Sequence, residues 1–451
     1  MEDVLLSSYG RASTQPSPVN RMMAAFAEDF REGVDINLGV GYVSERTIPH
    51  KLIESALHEV VAKPQAHKAA FNYGGPAGAK NLVSALRAFI AGRAVGGLSE
   101  SILEGKRIIV GASGATSLLE AASQVLATGL VITADPVYYI YGDLLQRAGF
   151  TLTAVPEDDE GIDTAKLQET IDDLGPKRES VSFVYVVTVS NPTCTILSDR
   201  RRVELLNIVS NLSRTLGRKV PLIMDAAYEL LIHDPAVPRP QSALLHDDLG
   251  IVYELGTLSK ILAPALRVGY MIGPDGPFLD ALVQNVSDTG FSAPLANQEI
   301  AAILLNEHVA EQIERVNVGY RQKAAQMRGL IDEHLGPFIA EVRGGSAGFY
   351  YYLTFKQIDT REGSRFFKTL TRTTGNSAIE HEADVLRPRV IYVPGEYCVH
   401  RGGALEAVGR RQLRLSYGFE SPAQIERGIR LMGEAAQRAE AAGSDDAGSS
   451  H

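Results

Sequence analysis

The stretch that decides the fold is Ile251-Val252-Tyr253-Glu254-Leu255-Gly256-Thr257-Leu258-Ser259-Lys260, followed by Pro264-Ala265-Leu266-Arg267-Val268-Gly269-Tyr270. An apolar run of strand length, Ile251–Glu254, leads into a loop with two hydroxyls and one lysine, and an arginine follows seven residues on. Most lysines are solvated surface charges. This one ends a buried strand and has nearly apolar residues after it, so its ammonium loses water. Hydroxyls and an arginine suit a phosphate dianion. A desolvated lysine beside another cation has its pKa lowered and becomes a nucleophilic amine.

The same kind of run recurs along the chain. Arg107–Val110, Leu130–Thr133, Val184–Val187, Leu222–Met224 and Val268–Ile272 are apolar throughout rather than alternating. Helical stretches Ser117–Leu126, Gly142–Ala148 and Arg201–Leu216 lie between several of them. This predicts an α/β architecture with a mostly parallel sheet covered by helices on both faces. Ligands collect at the carboxyl ends of such strands. After about Ala293 the rhythm changes. A long helical segment (Asn297–Leu330), then Ile339–Val342, a glycine-rich turn, Phe349–Phe355, Val390–Val393 and a last helix over Ile425–Glu440 predict a smaller α+β domain. The expected division is 1–55 as an N-terminal segment joining the small domain and 56–296 as the large ligand-binding domain. Residues 297–440 then form the linking helix and small C-terminal domain, and 441–451 a disordered tail.

Composition narrows the function. The 451 residues carry 44 Lys+Arg against 54 Asp+Glu, a net −10 that argues against a surface built to grip nucleic acid. No apolar run approaches the roughly 18 residues of a membrane helix. Met1-Glu2-Asp3-Val4 is not the basic start of a signal peptide. Two cysteines, Cys194 and Cys398, cannot make a disulfide framework in a chain this long, and ten histidines form no zinc-spaced cluster. The expectation is a soluble, cytoplasmic, metal-free protein with no nucleic-acid or membrane partner.

Other strand-end loops carry chemistry. Leu222-Ile223-Met224-Asp225-Ala226-Ala227-Tyr228 puts a carboxylate where burial is costly without a cationic partner. Asp225 either caps the next helix or holds a protonated heterocyclic nitrogen. Ser113-Gly114-Ala115-Thr116-Ser117 joins a strand to a helix, and its small residues let free N–H groups approach a phosphate. It fits neither G-x-x-x-x-G-K-[ST] nor G-x-G-x-x-G. Asp135-Pro136-Val137-Tyr138 brings an aromatic ring to the same edge, and Ser190-Asn191-Pro192-Thr193 reads alone as a turn.

In this order the loops resemble those of the class I/II aminotransferases, pyridoxal-phosphate enzymes of fold type I, over roughly Asn37 to Gly433. The resemblance implies transfer of an amino group between an L-amino acid and a 2-oxo acid, without a metal. Lys260 would form the internal aldimine, a Schiff base, and move the proton; Asp225 would pair with the pyridine nitrogen. Asn191 and Tyr228 would bond the ring's 3-oxygen, and Tyr138 would stack on the ring. Ala115, Thr116, Thr257, Ser259 and Arg267 would hold the phosphate. Tyr73, in Asn72-Tyr73-Gly74-Gly75-Pro76-Ala77-Gly78, matches the tyrosine that reaches the neighbouring subunit's phosphate, which implies a homodimer with shared sites.

For the substrate, Arg414 matches the arginine that takes the α-carboxylate, and the resemblance implies Asn191 as a further substrate-binding residue. Gly41 belongs to the glycine segment Asn37–Gly41 that closes over the site. Arg414 lies between two leucines and shares a polar face with Gln412 and Ser416, unlike its neighbours Arg410 and Arg411. The chain departs from the family at Cys194 and Ala265, where glycine is usual. Tyr350-Tyr351-Tyr352 reads as strand packing in preference to substrate pocket. A dicarboxylate substrate would need a second cation, for which Arg11, Arg21 and Arg46 are candidates.

Three rivals compete. Gly344-Gly345-Ser346-Ala347-Gly348 satisfies the G-x-S-x-G elbow of α/β hydrolases, with His400 downstream as a base, but strand-like residues follow the serine where a helix is required. A non-catalytic ligand sensor of the transcription-regulator kind would have a winged-helix module before Asn37, for which the 36 preceding residues are too few. A lyase or decarboxylase could use the same lysine site.

Overall fold

Val184–Val187 lies near the middle of an eight-stranded sheet in the computed structural model, which describes residues 4–68, 70–372 and 387–448. A short β1 (Ile36–Asn37) precedes it. The sheet comprises β2 (Lys106–Val110), β3 (Leu130–Asp135), β4 (Thr151–Asp158), β5 (Gly161–Ile162), β6 (Val181–Val187), β7 (Leu222–Asp225), β8 (Val252–Thr257) and β9 (Gly269–Pro274). Their spatial order is β2-β9-β8-β7-β6-β3-β4-β5. The chain from β4 through β3, β6 and β7 to β8 is parallel. Each apolar run predicted as a strand of this sheet is one, whereas Val390–Val393 divides at Tyr392 into two short strands of different sheets. In β6, Phe183, Val184, Tyr185 and Val186 are all buried, because helices cover both faces.

One strand runs against the parallel reading. β9 is antiparallel to both β8 and β2. The connection Leu258–Val268 contains only a 3-10 turn at Pro264–Leu266, too little for the crossover that a parallel neighbour needs. Consequently β9 begins, rather than ends, at the edge where β7 and β8 end. β4 is missing from the sequence reading because Thr151-Leu152-Thr153-Ala154-Val155-Pro156 mixes polar and apolar residues. It lies near the sheet's rim with only the two-residue β5 beyond it, where a proline is tolerated.

Helices Gly114–Val125, Tyr139–Arg147 and Asp199–Leu216 match the predicted stretches to within a turn. In the last, Ser198 accepts from the Arg201 N–H, and Gly217 closes the helix at φ 63°. The predicted single helix Asn297–Leu330 is two, Leu295–Glu307 and Val309–His334, which meet at the non-helical His308. The first is buried almost all round and the second on one stripe. Both satisfy a helical period, so periodicity does not reveal the break.

A second sheet, in the order β10-β11-β14-β13, is antiparallel: β10 (Ile339–Gly344), β11 (Tyr350–Phe355), β13 (Val393–Pro394) and β14 (Gln412–Ser416). β1 pairs in parallel with β12 (Val390–Ile391), which attaches the N-terminal stretch beside this sheet. Just before β1, Asp35 is buried, which opposes its charge. Arg31 at 2.6 Å and Arg389 at 3.0 Å nevertheless hold its carboxyl well below the usual range. The final helix, Pro422–Gly448, packs on Val309–His334. It runs to Gly448, past Ala441, where the sequence reading begins a disordered tail; residues 449–451 lie outside the described ones. Among the described residues no helix is long and apolar enough to cross a membrane.

Candidate active site

The carboxyl ends of β3, β6, β7 and β8 open into a cavity of about 510 Å³. Gly41, Ala115, Thr116, Tyr138, Asn191, Asp225, Tyr228, Thr257, Ser259, Lys260, Arg267 and Arg414 all line it. Of the residues predicted for the site, only Tyr73 is absent from its walls.

At one end lies an anion cradle. Gly114, at φ 71°, opens the helix Gly114–Val125, whose first N–H groups have no partner within the helix. Arg267 stands at the start of the reversed β9. Its Nη2 donates to the Ser113 carbonyl at 2.9 Å and its Nε to Ser113 Oγ at 3.3 Å, while its own carbonyl accepts from the Gly114 N–H at 2.8 Å. Arg267 itself sits in the left-handed region at φ 53°. Gly269 lets the two loops touch, since a Cβ there would run into the Ala115 nitrogen. Thr257 Oγ1 accepts from the Ser259 N–H at 3.1 Å and lies 3.0 Å from Ser259 Oγ, and both residues line the cavity.

In the middle stand Lys260 and Asp225. Lys260 Nζ donates to the Gly41 carbonyl at 3.1 Å and lies 5.6 Å from the Tyr228 ring centre and 5.5 Å from that of Phe349. Burial, and then Arg414 and Arg267, bring its ammonium down to about 8. Asp225 accepts from the Ala227 N–H at 3.0 Å and from the Tyr185 hydroxyl at 2.9 Å. Burial pushes its carboxyl up to about 6. Tyr185 was missed in the sequence, as was Ser113. A hydroxyl inside an otherwise apolar strand was the available signal for Tyr185.

At the far end Arg414 is 1% exposed. Its Nη1 donates to Asn191 Oδ1 at 2.7 Å and its Nη2 to the Gly39 carbonyl at 2.6 Å, while Nε has no hydrogen-bond partner. Its guanidinium carbon lies 4.2 Å from the Tyr350 ring centre and 5.6 Å from that of Tyr139. The polar face predicted for β14 divides: Gln412 bonds Tyr352 and Thr354 instead of entering the cavity. The tyrosine run divides too. Tyr351 donates to the Ala324 carbonyl and Tyr352 to Gln412, which is packing, whereas Tyr350 lines the cavity and meets the Tyr228 hydroxyl at 3.0 Å.

Several expectations lie elsewhere. Tyr73 is 75% exposed, its ring 5.0 Å from that of Phe291. Neither Arg11, Arg21 nor Arg46 lines the cavity: Arg21 pairs with Glu362, and Arg46 borders a neighbouring cavity of about 930 Å³. Ser346 lies in the turn between β10 and β11 and donates to Asp234 at 3.1 Å, so the strand–helix elbow of a hydrolase is not formed. Cys194 holds φ 55°, the left-handed conformation expected of the glycine it replaces. Burial raises its thiol to about 12 and removes thiolate chemistry. Ala265, in the turn Pro264–Leu266, lines the cavity. Among the described residues no three His, Cys, Asp or Glu gather as a metal site.

These features fit pyridoxal phosphate. The cradle takes a dianion, the depressed lysine takes an aldehyde, and the buried Asp225 lacks the cation that a protonated ring nitrogen would bring. The unsatisfied Arg414 Nε leaves capacity for a carboxylate. An uncharacterized HTH-type transcriptional regulator of Bacillus subtilis (strain 168), YisV, is 25% identical over 89% of this chain and 74% of its own length. The 2-aminoadipate transaminase of Thermus thermophilus is 29% identical over 68% of each chain. The crystal structure of a multiple substrate aminotransferase from Thermococcus profundus superposes with a TM-score of 0.79 at 21% identity, covering 96% of this chain and 98% of that one. The model of aminotransferase class I and II matches residues 34–429. The chain therefore belongs to the aminotransferase class I and II family, whose pyridoxal-phosphate-dependent amino transfer is its activity class.

Proposed function

We propose that this chain transfers the amino group of an L-amino acid to a 2-oxo acid with Lys260 as the residue that carries the cofactor and moves the proton. The supporting observation is that Lys260, Asp225 and Arg414 line one cavity whose end is the Arg267–Ser113–Gly114 cradle. Pyridoxal phosphate supplies the electron sink for the bond that breaks at the amino acid's α-carbon. Asp225 keeps the ring nitrogen protonated, and Tyr185 and the Ala227 N–H fix that carboxylate in place. Tyr228 and the Asn191 amide N–H would bond the ring oxygen, and Tyr138 would stack on the ring. Ala115, Thr116, Thr257, Ser259 and Arg267 hold the phosphate. Arg414 binds both oxygens of the planar α-carboxylate, a geometry that a lysine lacks. Gly41 and its neighbours cover the substrate. Once the substrate's amine has taken the lysine's place on the cofactor, the freed Lys260 Nζ would accept the α-proton and hand it back.

The working molecule is proposed to be a soluble, cytoplasmic homodimer in which Tyr73 serves the partner's phosphate. Its proposed division is into the large domain 56–296 and a small domain formed by 1–55 and 297–440. The test uses purified holoprotein, amino acids with 2-oxoglutarate or pyruvate, and a mass balance of products. Each amino acid lost is expected to yield one new amino acid and one new 2-oxo acid. Borohydride reduction and peptide mapping are expected to find the pyridoxyl group on Lys260. Ammonia or carbon dioxide without amino transfer would mean a lyase or decarboxylase. Cofactor on Lys260 with no turnover at all would support the sensor reading that the likeness to a regulator keeps open.

A further inference from the structure

Tyr350 touches two functional groups at once. Its hydroxyl lies 3.0 Å from that of Tyr228, in a buried contact between strand β11 and the loop after β7. Its ring lies under the Arg414 guanidinium at 4.2 Å. Gly41 packs directly on the same hydroxyl: a Cβ there would stand 2.6 Å from it. The Gly41 carbonyl in turn accepts from Lys260. So the phenol is hemmed in by the lysine's own hydrogen-bond acceptor, the carboxylate arginine and Tyr228.

We infer that Tyr350 is a positioning residue: its hydroxyl donates to Tyr228 and so turns the Tyr228 proton toward the cofactor's ring oxygen. This rests on the proposed role of Tyr228. A hydroxyl has one proton, so two hydroxyls 3.0 Å apart must choose a donor. When Tyr228 donates to the ring oxygen, it is free only to accept from Tyr350. Desolvation pushes both phenols up, Tyr350 to about 12, so both keep their protons at neutral pH and each has one to donate. Donation into Tyr228 strengthens its own donation. The ring oxygen is thereby held in its charged form. The Tyr350 ring meanwhile packs on the Arg414 guanidinium.

The experiment titrates the visible absorption of the bound cofactor in wild type and in Tyr350→Phe, which keeps the ring and removes the hydroxyl. The pH midpoint is expected to rise by about half to one unit, the size of one lost buried hydrogen bond. In kinetics kcat falls while KM for the amino acid stays, because the ring under Arg414 remains. Tyr350→Leu, which removes the ring as well, also raises KM. The deciding measurement is a double-mutant cycle. Tyr228→Phe raises the midpoint by itself, and adding Tyr350→Phe to it is expected to move the midpoint no further, since Tyr350 acts only through Tyr228. An unchanged midpoint in Tyr350→Phe, or shifts that simply add, overturns the inference. If Tyr350→Phe fails to fold, a Tyr228→Phe midpoint equal to wild type overturns it as well. A wild-type protein that binds no cofactor at Lys260 sinks the proposed function itself, whereas a normal holoprotein with an indifferent Tyr350 sinks only this step.

Discussion

At the residue scale the decisive quantity is the charge on Lys260. Desolvation first, and then Arg414 and Arg267, lower its ammonium from 10.5 to about 8. A depressed ammonium loses its proton as pH rises through the lowered value. At pH 7 about one lysine in ten is then neutral, against roughly one in 3,000 for an ordinary one. Cofactor uptake by the apoprotein is therefore expected to quicken about tenfold per pH unit below 8 and to level off above it, in stopped-flow absorbance. Between 8 and 10.5 the unfolded chain holds a proton that the folded one has lost, so the apoprotein also gains stability with rising pH there. Arg414→Gln removes one of the two cations and is expected to move the uptake midpoint upward. A midpoint near the ordinary lysine value in wild type would contradict a desolvated amine.

At the element scale the reversed strand β9 matters most. Because it starts where β8 ends, Arg267 reaches Ser113 and Gly114, on the loop after β2. The approach depends on Gly269, whose missing side chain leaves room for Gly114 and Ala115. The contact is backbone to backbone, so no side chain can swing away. Gly269→Ala is expected to weaken cofactor binding about ten- to a hundredfold, the 1.4 to 3 kcal/mol of a strained close packing. Equilibrium titration of the apoprotein measures it, with circular dichroism to show that the sheet persists. An affinity equal to wild type would mean that the loop shifts without loss. This cradle was only half legible in the sequence. Small residues after a strand mark Ser113–Ser117, but which loop faces them depends on a strand direction that the apolar run Val268–Ile272 does not encode.

At the scale of the whole molecule the exposed ring of Tyr73 stands apart from its own chain's cavity. It is 75% exposed, and its ring packs on that of Phe291, itself 60% exposed. Exposed aromatic clusters of this kind mark association surfaces. In a symmetric dimer each site would take Lys260 from one chain and Tyr73 from the other. Mixing an inactive Tyr73→Ala protein with an inactive Lys260→Ala protein is expected to restore about a quarter of wild-type activity, since half the dimers are hybrids and each hybrid has one intact site. Hybrids that form, as seen by native mass spectrometry, yet remain inactive would show that Tyr73 does not serve the partner.

The sequence by itself determined the strands, their helical cover and the residues at the strand ends. These are local properties: an apolar run has a length, and the polar residue after it stands at the sheet's edge. Lys260 and Asp225 were legible for that reason, whereas Asn191 alone read as a turn and Arg414, inside β14, was singled out by the family resemblance and its place between two leucines. Tertiary structure alone decided the direction of β9, the break at His308, the Tyr185 bond to Asp225 and the Tyr350 contact with Tyr228. Each of these joins segments 40 to 122 residues apart or turns on how two elements cross. Strand register and side-chain direction set such contacts. No periodicity in a single strand records which residue of another strand it will face.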